Sequence, residues 1–205
     1  MTPHRAHVES SVDLYWLPLG AGPGVGNALV RSSGRLYEAL HAVPRHRPRA
    51  RLYHSALIVR LDGARFAIEM GPAWANPVPD QGVMCEGPVG LPSWGRSRLF
   101  RYEVRCWRDG VIPDVSEAVE SPRRVSADDD KARRVLELVP RFPTATWGLD
   151  EQRTGEMWNS NSLTAWLLAR SGHDTDEDSL RPPGRGRAPG WSAGLVVAAR
   201  ATADA

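Results

Sequence analysis

The run RLYHSALIVRLDGARFAIEMG, residues 51–71, constrains the fold more than any other part of the chain. Two stretches of aliphatic and β-branched residues meet at Asp62-Gly63, a dipeptide that tolerates positive φ at both positions and so suits the type I′ turn of a two-residue hairpin. With that turn fixed, Leu61 stands opposite Ala64, Val59 opposite Phe66, Leu57 opposite Ile68, Ala56 opposite Glu69 and His54 opposite Gly71. Strand side chains alternate, so His54, Ala56 and Ile58 share a face with Ala67 and Glu69. Tyr53, Ser55, Leu57, Val59, Phe66, Ile68 and Met70 take the other. His54 and Glu69 become diagonal neighbours about 7 Å apart at the backbone. That spacing suits a carboxylate orienting an imidazole; a satisfied rim histidine beside a solvated carboxylate is the plainer reading.

The second informative stretch is EMWNSNSLTAWLLARSG, residues 156–172, where Asn159-Ser160-Asn161-Ser162 leads into an apolar helical pattern closed by Gly172. Asn and Ser at a helix start accept hydrogen bonds from the unpaired N–H groups of the first turn. The same position suits a nucleophile, because the helix amino end stabilises an anion and offers donors to an oxyanion. Ser160 and Ser162 lie about 200° apart around a helix, so their hydroxyls point to different sides. Asn159 and Asn161 are candidates for capping and for oxyanion donation. Trp158, just before the helix, and Trp74 are candidates to line an apolar pocket.

Elsewhere the chain reads as short elements between loops. Residues 12–19 form a strand. The glycine-rich stretch 20–33 lacks the spacing of a phosphate cradle and leads to a helix over 34–42. Residues 71–98, dense in Pro and Gly, read as a long irregular loop. Residues 97–110 alternate as a strand that buries Cys106, a helix starts at Ser126, and WSAGLVVAAR, residues 191–200, reads as a final strand.

Composition narrows the function classes. At 205 residues the chain fits a single domain, residues 1–205. Its 26 basic and 24 acidic residues are interleaved, so no nucleic-acid partner is implied. No apolar run approaches the length of a spanning helix, and residues 1–13 lack the apolar core of a signal peptide, which points away from membrane insertion and towards the cytoplasm. Cys85 and Cys106 lack metal-ligand spacing, and His4, His7, His41, His46 and His173 fall in tails or loops, so neither a metal nor a cofactor is expected.

A histidine on the first strand of an antiparallel hairpin, a polar residue on the second, and a downstream Asn-nucleophile pair opening a helix together resemble the circularly permuted NlpC/P60 group of papain-like proteins. That group includes the lecithin:retinol acyltransferase-like and PPPDE families. NSNSL is similar to their Asn-Cys-Asn-His-Phe motif, with Asn159 at the Asn and Leu163 at the aromatic position, and the resemblance covers approximately residues 50–172. It implies an α+β fold with helices on an antiparallel sheet, His54 as general base, residue 160 as nucleophile and Glu69 as orienting group. The departure is Ser160 where those families carry Cys: a thiol ionises readily, whereas a hydroxyl must lose its proton as the bond forms. The resemblance therefore implies a hydrolase or acyltransferase acting on an amide, ester or thioester through Ser160, with a small-molecule, peptide or acyl substrate. The alternative is a catalytically inactive papain-like module that binds a peptide or lipid-like ligand.

Overall fold

The computed structural model describes residues 9–19, 50–75 and 81–203. The glycine-rich stretch and the helix expected over 34–42 lie outside them. The fold is α+β. Six strands, β1 (Ser11–Pro18), β2 (Tyr53–Leu61), β3 (Ala64–Pro72), β4 (Val83–Pro88), β5 (Arg101–Arg108) and β6 (Arg123–Ser126), form one antiparallel sheet in the order β4-β5-β3-β2-β1-β6. Among the described residues the helices are α1 (Asp129–Leu138), α2 (Ser160–Arg170), the single turn α3 (Glu177–Leu180) and α4 (Trp191–Ala203). Among the described residues no helix is long and apolar enough to cross a membrane.

The hairpin register is the one its turn dictates: Leu61 pairs with Ala64, Val59 with Phe66 and Leu57 with Ile68. Asp62 and Gly63 sit at φ 51° and 77°, the left-handed pair a type I′ turn requires. β2 is apolar on both sides because both are covered. Tyr53, Leu57 and Val59 join Val12, Leu14 and Trp16 of β1 in the larger core, which is completed by α1, α2 and α4. Ala56 and Ile58 join Tyr15, Leu17, Ala67 and Ile112 in a smaller core on the opposite side.

Three expectations are corrected. The stretch 191–200 is helical, not a strand, despite Val196 and Val197. Its alanines favour a helix, and Gly194, where a Cβ would stand 2.3 Å from the Ser162 carbonyl oxygen, lets α4 lie backbone-close against α2. The Pro- and Gly-rich stretch contains strand β4, which among the described residues pairs with β5 alone and ends at Pro88. The third concerns the start of α1: Asp128 is its cap, accepting the Lys131 N–H at 2.9 Å, while Ser126 ends β6.

Candidate functional site

At the start of α2, three of the four polar residues are bound to their surroundings. Asn159 accepts the N–H groups of Asn161 and Ser162 through Oδ1, and Ser162 Oγ accepts the Asn159 N–H, a reciprocal capping box. Asn159 and Asn161 each donate through Nδ2 to the Pro189 carbonyl, at 2.8 and 2.9 Å, and Ser162 Oγ donates to the Gly190 carbonyl at 2.8 Å. Asn161 also bridges to the sheet, donating to the Tyr53 carbonyl and accepting the Ser55 hydroxyl at 2.9 Å. The cluster thus clamps strand β2, helix α2 and the segment before α4 together. Ser160 differs: it is 5% exposed, and its hydroxyl makes no hydrogen bond to a described residue.

The structure does not bring Ser160 and His54 together. Ser55 faces Asn161 and Tyr53 lies in the α2-side core, so strand alternation sends the intervening His54 to the other side of the sheet, beside Leu17 of β1. The expectation that His54 takes the Ser160 proton is corrected on this ground. His54 is half-buried and desolvated, which pushes its imidazole down to about 4. Glu69 does share the His54 side, as the register requires. Its carboxylate accepts from the Arg105 guanidinium, so it is held by β5 and not by the imidazole. Burial pushes Glu69 up to about 7, against the opposing pull of Arg105.

The tryptophans divide. Trp158 is 1% exposed, stacks on Phe142 with centroids 5.0 Å apart and donates from Nε1 to the Pro143 carbonyl, so it belongs to the core and not to a pocket. Trp74 is exposed, on the short helical turn after β3. Neither thiol is activated: burial pushes Cys85 and Cys106 each up to about 11.

Two features have roles that the sequence pattern does not show. The first is His173, which follows the left-handed Gly172 that ends α2; its N–H bonds the Leu168 carbonyl at 3.0 Å in a Schellman arrangement. Ser171 spends its proton on the Leu167 carbonyl at 2.6 Å, so Nδ1–H of His173 donates to Ser171 Oγ, and Nε2 accepts from Ser126 Oγ at 2.9 Å. Burial, helped by Lys131, pushes this imidazole down to about 4. The ring is a weakly basic latch between α2 and β6.

The second is a cleft of about 580 Å³ whose lining includes Glu156, Arg181, Arg185, Arg187, Ala188 and Trp191, a size typical of small-molecule sites. One wall is the segment that the Asn-Ser cluster clamps. Glu156 accepts the Gly190 N–H at 2.9 Å and so occupies the amino end of α4. The segment RPPGRGRAPG, residues 181–190, reads in sequence as a plain polar loop; three arginines within seven residues were the available signal. No protein-family model, no curated protein and no solved structure matches this chain.

Proposed function

We propose that the chain is a non-catalytic binding module on a permuted papain-like scaffold, with the cleft beside α4 as its ligand site. The observation that carries this reading is the separation of Ser160 from His54 by the sheet. A general base has to stand about 2.6–3.2 Å from the proton it takes, or one water away. In this arrangement the Asn-Ser motif is a structural clamp: its side chains hold the wall of a cleft, where the related motif in papain-like enzymes presents a nucleophile. The ligand is a small molecule or a peptide with an apolar portion, since Trp191, Leu180, Pro182 and Ala188 contribute to the lining. The free thiols Cys85 and Cys106 favour a reducing compartment such as the cytoplasm.

A fluorophosphonate probe tests the reading. Intact and peptide mass spectrometry should find no adduct at Ser160 in the folded protein. An adduct at Ser160 that disappears in both Ser160→Ala and His54→Ala would overturn the binding-module reading and restore acyl transfer through Ser160.

A further inference from the structure

The cleft beside α4 carries an inference about what it binds, and this inference rests on the binding-module reading. Among the described residues its lining sets three arginines against one carboxylate. That carboxylate, on Glu156, is committed to the Gly190 N–H, so the amino end of α4 already has its anion. Arg185 is exposed, and its guanidinium has no hydrogen bond or ion pair with a described residue.

The backbone beneath Arg185 is held in an unfavourable conformation. Gly184 and Arg185 both lie in the left-handed region, at φ 59° and 57°, which glycine adopts freely and arginine does not. The surroundings enforce it. Arg187 N–H bonds the Arg51 carbonyl at 2.8 Å, and the Arg187 carbonyl accepts the Tyr53 N–H at 2.9 Å, so the loop continues the start of β2. Just before Arg187, Gly186 lies so close to the Tyr53 ring that a Cβ would stand 2.4 Å from it. An exposed arginine on a pinned backbone, beside a cleft lined in part by Trp191, is an arrangement in which an anion would find a fork of donors.

We propose that the cleft binds a small organic anion, a carboxylate or a phosphate monoester with an apolar or aromatic body, its charged head on the Arg185 guanidinium and its body against Trp191. Carboxylate and phosphate share this recognition chemistry, and the probes below separate them.

The test is isothermal titration calorimetry of the full chain with phenylacetate, phenylphosphonate and the neutral 2-phenylethanol. Both anions should bind about tenfold more tightly than the alcohol, the gain expected of one charge-assisted contact, and should weaken as salt is raised. Arg185→Gln should remove that tenfold advantage and leave the alcohol unchanged, while Arg185→Lys keeps part of it. Ala188→Trp, which fills the cleft, should abolish binding of all three. Tighter binding of the phosphonate identifies a phosphate monoester as the natural class, and tighter binding of phenylacetate a carboxylate. If the alcohol binds as well as the anions, or Arg185→Gln weakens all three alike, the anion inference fails while the binding module stands. If no probe binds, or Ala188→Trp changes nothing, the cleft is not the ligand site and both proposals fail.

Discussion

The two sides of the sheet bury polar groups by different means. Against α2 and α4 the buried polarity is neutral: amides and hydroxyls of Ser55, Asn159, Asn161 and Ser162 bonded to one another and to backbone carbonyls. On the opposite side it is ionic. Asp13, 2% exposed, is held by Arg60 and Arg124; Glu69 is held by Arg105, and Glu103 by Arg98 at 3.3 Å. Neutral networks cost less to desolvate and are strongly directional, so they suit the positioning of a helix and a loop. Of these pairs only Glu69–Arg105 is buried at both ends and held against a large desolvation penalty; in the others a buried carboxylate meets an arginine that still reaches solvent. His54 stands on the ionic side and Ser160 on the neutral one. The chain therefore separates the residue types that a papain-like catalytic site would unite.

The largest test of this contrast is to strand a charge. Glu69→Leu leaves Arg105 buried and unpaired and should destabilise by about 3–5 kcal/mol in urea unfolding, whereas Glu69→Leu with Arg105→Met should recover most of the loss. An equal loss in both variants would mean that the pair contributes packing and not charge. On the neutral side, Asn161→Ala removes three buried hydrogen bonds and should cost about 2–4 kcal/mol by the same measurement. A cost near zero would show that β2 and the loop before α4 are held by something other than this amide.

The smallest effect concerns protons. His173 is held near 4 in the folded chain against an ordinary 6.5, so the unfolded chain binds more protons between those values. Its contribution to stability is complete above about pH 6.5 and is lost as pH falls towards 4. Glu69, raised by burial, has the opposite sign: its contribution falls as pH rises from 4.5 to about 7. Comparing the wild type with His173→Gln isolates the imidazole. Between pH 6.5 and 4 the variant's unfolding free energy should fall less steeply, by at most about 1.4 kcal/mol per pH unit. Parallel slopes would place the proton on His173 in the native state.

The hairpin was legible because Asp62-Gly63 fixes one turn, and one turn fixes every pair beyond it. Helix α2 was legible because its cap and its terminal glycine bracket an apolar run. Alternation says which residues share a side of a strand, but not which side a helix will cover. β2 is apolar on both, so the sequence pattern left His54 free to face α2, and the structure turns it away. Helix α4 was hidden for another reason. Val196 and Val197 favour a strand locally, while the alanines around them favour a helix, and the packing on α2 runs through Gly194, a residue with no side chain to advertise it.

Gly186 has a kinetic consequence. With the Tyr53 ring filling the space above it and the next residue, Arg187, bonded to the backbone of Arg51 and Tyr53, the wall of the cleft is set when the chain folds and does not wait for an occupant. A loop that had to close over its guest would surrender conformational freedom at every encounter and slow each capture. Here that ordering is complete beforehand, so association should run close to the rate at which ligand and cleft meet in the right orientation, and differences among ligands should appear in how long each one stays.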